Sequence, residues 1–186
     1  MRVIYSESEF DGRASVVALG MFDGVHIGHQ KLIRAAAALA GQLGAECVVC
    51  TFDRHPMSVL CPGRAPKPLL SLEENLDKFE RLGAQWALVQ AFTPEYAALP
   101  AGDFLRALAR DMRVRGIVAG ENYTFGAGGR GDAALIRAMA GELGCRALIV
   151  PPVMDGDVMC SSTRIRALIE SGETEHARRL MDIAES

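Results

Sequence analysis

Leu43-Gly44-Ala45-Glu46-Cys47-Val48-Val49-Cys50-Thr51-Phe52 closes a helix and opens a strand within ten residues. Upstream, Leu32, Ala36, Leu39 and Leu43 recur at helical spacing and mark one apolar face. Gly44 stands where a helix end needs a residue that takes the left-handed conformation without steric cost. Residues 47–52 are short, near-continuously apolar and partly β-branched, as strands buried on both faces are. The same join recurs at Leu82-Gly83-Ala84, before residues 86–92, and at Leu143-Gly144-Cys145, before residues 147–151.

Working outward, residues 16–19 and 116–119 read as two further strands. Ser71-Leu72-Glu73-Glu74 is a capping box opening a second helix. Residues 103–112 form a third, a fourth follows Asp132, and residues 162–171 and 174–181 read as two C-terminal helices. Strand and helix alternate. The expected fold is therefore α/β: a Rossmann-like, doubly wound parallel sheet of about five strands, with helices on both faces and two C-terminal helices. Residues 1–186 read as a single domain, with a Pro-rich loop at 62–68. Ligands in such a fold bind beyond the carboxyl ends of the strands, at the switch point.

The 186 residues are 49% hydrophobic and 23% charged, enough for a sizeable core and against disorder. The net charge of −3 argues against non-specific nucleic-acid binding. The N-terminus turns acidic at once and no apolar run is long enough to span a bilayer, so a cytoplasmic protein off the membrane is expected. Cys47 and Cys50 have metal-type spacing, but no second pair follows at a zinc-finger distance and both lie in a strand. With Cys61, Cys145 and Cys160 they read as reduced thiols, and no metal ligand is assigned among the side chains.

Two segments carry chemistry. Gly20-Met21-Phe22-Asp23-Gly24-Val25-His26-Ile27-Gly28-His29 sits where the first long strand meets the first long helix. A helix start there offers unpaired backbone N–H groups and a positive dipole end, suited to phosphate. Gly20 and Gly24 let the backbone bend and approach a ligand, and Gly28 removes a side chain between two imidazoles. His26 and His29 face one side of a helical turn and together can grip one anion; a cap, a surface position or a metal pair also fits either residue. Ser161-Ser162-Thr163-Arg164-Ile165-Arg166 opens the penultimate helix. Ser162 reads as its cap, which would leave solvated arginines beside an ordinary helix start. The same residues also make a polyphosphate cradle, with Arg166 on the face of Thr163 and Arg164 pointing elsewhere.

His26-Ile27-Gly28-His29 resembles the HxGH signature of the nucleotidylyltransferases, and residues 161–166 resemble the matching C-terminal signature. Four longer stretches narrow the likeness to the adenylyltransferase domain of bacterial FAD synthetases. They are residues 20–33, Thr51-Phe52-Asp53-Arg54-His55-Pro56, Gly120-Glu121-Asn122-Tyr123-Thr124-Phe125-Gly126 with Gly131-Asp132, and the tail Gly172-Glu173-Thr174-Glu175-His176-Ala177. Where the family usually has Pro, this chain has Arg54. The family's bifunctional members carry a riboflavin kinase module after this domain. The sequence stops at Ser186, so kinase activity is not expected of it, and FMN would come from a separate riboflavin kinase or from another part of a longer gene product.

The resemblance implies that ATP and FMN give FAD and diphosphate, with Mg²⁺ bound through the ATP phosphates. It implies that His26 and His29 bind those phosphates, that Ser162, Thr163 and Arg166 hold the leaving phosphates, and that Gly20, Phe22, Asp23, Gly24, Gly28 and Ser161 line the ATP site. For FMN the candidates are Phe52, His55, Pro56, Arg64, Asn122 and Phe125; Phe52, Tyr123 and Phe125 also suit plain core packing. Asp53 would orient a histidine or contact Mg²⁺ through water. Enzymes adenylylating nicotinamide mononucleotide, pantetheine phosphate or glycerol phosphate share the first signature. A non-catalytic flavin or nucleotide sensor is the alternative of another class.

Overall fold

The structure is a computed structural model that describes residues 1–183. Among these residues a six-stranded parallel sheet forms from β1 (Arg2–Ile4), β2 (Ser15–Leu19), β3 (Glu46–Phe52), β4 (Trp86–Gln90), β5 (Val114–Gly120) and β6 (Arg146–Val150), in the order β1-β4-β3-β2-β5-β6. The expectation of about five strands missed β1. That strand is three residues long, too short to show a period, and it pairs with β4 from Arg2↔Trp86 to Ile4↔Leu88. A hairpin of β7 (Met154–Asp155) and β8 (Val158–Met159) was also unforeseen. Gly156, at φ +61°, opens its two-residue loop as a tight turn requires.

The helices are α1 (Ile27–Leu43), α2 (Met57–Leu60), α3 (Leu72–Arg81), α4 (Pro94–Ala97), α5 (Ala101–Asp111), α6 (Ala133–Ala140), α7 (Ser162–Glu170) and α8 (Thr174–Met181). Gly44 caps α1 in the left-handed region at φ +59°, and Ser71 and Glu74 complete the capping box of α3.

Alternate residues of the strands serve two cores. Val17, Leu19, Val48, Leu88 and Ile117 pack with Phe104, Leu105 and Leu108 of α5 and Ile136 of α6. Val16, Ala18, Val49, Ala87 and Val118 pack with Ile33 and Ala36 of α1 and Phe79 of α3. Each large side chain so buried stabilises the fold by about 2 kcal/mol. A third cluster joins Ile165 and Leu168 of α7 to Ala177 and Leu180 of α8. β6 departs from the two-face burial expected of residues 147–151. It lies at the sheet edge, where Arg146 faces solvent and Leu148 is 37% exposed.

From β2 the chain runs outward through β3 to β4, then returns to lay β5 on the other side of β2. The carboxyl ends of β2 and β5 are thus the switch point, and the loop into α1 leaves from it.

Candidate active site

His26 immediately precedes α1 and His29 lies in its first turn. Their rings stack 3.7 Å apart between centroids, 20° from parallel. Gly28 permits this, since a Cβ there would stand 3.1 Å from Cε1 of His26. Phe22, fully buried, meets His29 edge-on at 5.2 Å and Phe79 at 5.5 Å. A Cβ at Gly20 would lie 2.8 Å from Cζ of Phe22, so that glycine makes room for the ring propping His29. Gly24, at φ +81°, faces Leu69, whose Cδ1 would be 2.8 Å from an added Cβ.

Burial lowers the pKa of His26 to about 4. Burial first, and the neighbouring His26 second, hold His29 well below the ordinary imidazole range. Both rings are neutral at pH 7, so they stack without charge repulsion and each has one N–H to donate. Nδ1 of each is buried without a hydrogen-bond partner among the described residues. The shift of His26 makes stability pH-dependent. Above pH 6.5 neither folded nor unfolded chain protonates this ring; between 6.5 and about 4 only the unfolded chain does. Stability should therefore fall as pH drops through that window, by ~3 kcal/mol from His26 alone. Urea unfolding of wild type and His26→Asn at pH 7 and pH 5 checks this, the variant being expected to lose less.

The start of α7 is joined to this loop. Ser161, rather than Ser162, caps the helix by accepting from the Arg164 N–H at 3.2 Å. Ser162 Oγ instead donates to the Asp23 carbonyl at 2.9 Å. The Asp23 carboxylate is 5% exposed as a residue, accepts from Leu69 N–H at 2.9 Å and is paired with Arg166 Nη2. Arg166 Nε donates to the Lys67 carbonyl at 3.0 Å. A guanidinium has five N–H donors, so these bonds do not exhaust it. Arg164 points away, its Nε 3.7 Å from Oδ2 of Asp155, whose Oδ1 meets Nε2 of His176 at 3.0 Å.

Three hollows meet here. One of about 320 Å³ is lined by Gly20, His26, Gly28, His29, Gly120, Asn122, Ser161 and Ser162. A cleft of about 480 Å³ holds His55, Arg64, Thr163 and Arg166, with Asp23 and Glu170. An aromatic cavity of about 310 Å³ is walled by Phe52, Pro56, Phe92, Tyr96, Tyr123 and Phe125. Ser162 belongs to the first two and Tyr123 to the first and third.

The candidate residues thus divide. Phe52, Pro56 and Phe125 share the aromatic cavity, while His55 and Arg64 join Arg166 in the cleft. Asn122, expected beside Phe125, lines the imidazole cavity, with its amide nitrogen 3.1 Å from Sδ of Met159. Among the described residues Asp53 bonds to no histidine; it accepts from Phe92 N–H at 3.1 Å and pairs with exposed Arg54 at 2.8 Å. Phe92 and Tyr96 were missed because residues 86–92 read as one strand. β4 ends at Gln90, and Thr93-Pro94 opens α4, where Thr93 caps the Tyr96 N–H at 3.2 Å. A hydroxyl followed by Pro is a helix-start signal that could have placed both rings beyond the strand.

A profile of the FAD synthetase family matches residues 9–164. The chain belongs to that family. A putative bifunctional riboflavin kinase/FMN adenylyltransferase of Geobacillus thermodenitrificans is 40% identical over 167 residues, covering 90% of this chain and 89% of the relative. The bifunctional riboflavin kinase/FMN adenylyltransferase of Bacillus subtilis is 35% identical over 90% of this chain, but the match spans only 53% of that protein. A crystal structure described as a macrolide-efflux protein from Streptococcus pneumoniae superposes with a TM-score of 0.84 at 32% identity, covering 96% of this chain and 59% of that one. Among the described residues no helix is long and apolar enough to cross a membrane. FAD synthetases of this kind are nucleotidyltransferases. The Arg54 that replaces the family's usual Pro is exposed and bonded to its neighbour Asp53, outside the aromatic wall.

Proposed function

We propose that the chain transfers the AMP part of ATP to the phosphate of FMN, giving FAD and diphosphate. One observation carries this reading: stacked neutral imidazoles and the amino end of α7 border a cavity that shares Tyr123 with an aromatic cavity of about 310 Å³. The nucleotide lies in the first cavity, with its phosphates toward the starts of α1 and α7. The flavin ring packs among Phe52, Tyr96, Tyr123 and Phe125, and its phosphate reaches the cleft of His55, Arg64 and Arg166.

A phosphate oxygen of FMN then attacks the α-phosphorus in line as diphosphate leaves. That oxygen is ionised at neutral pH, so no strong base is needed and catalysis rests on positioning and charge stabilisation. His26 and His29 donate to the transferring phosphate. Thr163, Arg166 and the unpaired N–H groups at the start of α7 hold the leaving diphosphate. The Asp23 and Asp53 carboxylates are already bonded within the chain. Among the described residues no cluster of His, Cys, Asp or Glu could hold a metal ion; a Mg²⁺ entering with ATP would supply charge neutralisation at the phosphates, beside His26, His29 and Arg166.

The test is chromatography of a reaction with ATP, FMN and Mg²⁺, with nicotinamide mononucleotide as rival acceptor and a chelated control. FAD should form only with FMN and metal. A different dinucleotide, or FAD bound but never made, would overturn the proposal. Phe125→Ala should raise KM for FMN about tenfold while leaving KM for ATP unchanged, since an aromatic pair is worth about 1 kcal/mol beyond the area it buries and ~1.4 kcal/mol is tenfold.

A further inference from the structure

The loop of residues 21–25, between β2 and His26, is held in an unusual way. Phe22 and Val25 both take positive φ, +53° and +43°, a region that side chains disfavour and that β-branched ones rarely enter. Such a conformation persists only where the surroundings over-determine it. Side chains from four separate elements do so. Thr51 Oγ1 of β3 donates to the Met21 carbonyl at 2.9 Å, and Ser162 of α7 to that of Asp23. Asn75 Oδ1 of α3 accepts from the Gly24 N–H at 3.2 Å. Gln30 Nε2 of α1 donates to the Val25 carbonyl at 3.0 Å.

Gln30 is the least expected of these. It is 2% exposed and lines none of the three hollows. The same amide nitrogen also lies 3.2 Å from the Met181 carbonyl and 3.1 Å from that of Asp182, at the end of α8. Its own backbone N–H meets the His26 carbonyl at 2.9 Å. One side chain thus ties the strained loop to a helix that closes far from it in sequence.

We infer that Gln30, supported by Asn75, is a positioning residue for nucleotidyl transfer: it holds Val25 in its left-handed conformation and so aims His26 at the phosphates. This rests on the function proposed above. The substrate never touches Gln30; the loss on removing it comes from a misaimed imidazole, and small misplacements of that kind cost roughly tenfold to a hundredfold in turnover.

Gln30→Met keeps length and apolar bulk but removes both donors. It should lower kcat for FAD formation at least tenfold and leave KM for FMN unchanged, because the aromatic cavity is walled by other residues. In a His26→Ala background the same substitution should have no further effect, since its route of action is gone. Asn75→Leu, which frees Gly24 instead, is held to the same two criteria and serves where Gln30→Met fails to fold. Turnover near wild type, or an equal loss with and without His26, overturns this inference alone. Absence of FAD from the wild-type reaction overturns it together with the proposed function.

Discussion

His29→Ala should lower kcat for FAD formation at least a hundredfold and leave a folded protein. The first half follows from the place of the ring. His29 is neutral, stacked on His26 and backed by Phe22, so its ring is fixed in place before substrate arrives. Removing one such preorganised donor to a transition state costs about 3 kcal/mol, which is about a hundredfold in rate. The second half follows from what the ring lacks. Its Nδ1 is buried without a partner among the described residues, so deletion removes an unmet polar atom as well as packing. These effects offset one another. Steady-state kinetics and a thermal melt measure both halves. A variant with near wild-type turnover would take His29 out of the chemistry.

Asp23→Asn should destabilise the fold by ~3 kcal/mol, the usual loss on breaking a buried pair. The Asp23 side chain is 6% exposed and that of Arg166 17%. Asparagine keeps an acceptor for Leu69 N–H, but it leaves the guanidinium with a single carbonyl partner at Lys67. Turnover should fall too, because Arg166 is then free to leave the cleft where diphosphate departs. Urea midpoints of Asp23→Asn and wild type give the stability difference. A midpoint equal to that of wild type would show that the pair is solvated and of little weight.

What could be read from the sequence was whatever repeats or is punctuated. Gly44, Gly83 and Gly144 each precede a strand of the main sheet, and Ser71 with Glu74 mark a helix start that the fold keeps. The His and Ser-Thr segments stand at the starts of α1 and α7, where the strand-to-helix pattern put them. Three residues of β1 carry no period, and a two-residue hairpin strand carries even less. The exposed side of β6 was illegible for another reason: apolar content alone does not distinguish an edge strand from a central one. Asn122 and Phe125 are near in sequence yet serve different hollows, because the chain turns after Gly120 and Tyr123 becomes the wall between them. The several bonds of Asp23 could not be read at all, since its partners at Leu69, Ser162 and Arg166 are remote in sequence.

Tyr123 lines both the imidazole cavity and the aromatic one. A single molecule bent around Tyr123, carrying an adenine-like group at one end and a flat tricycle at the other, loses its freedom to tumble once rather than twice. Linked by a short tether, each half raises the local concentration of the other to the millimolar range, so a weak pair of fragments can become a tight inhibitor without any new contact.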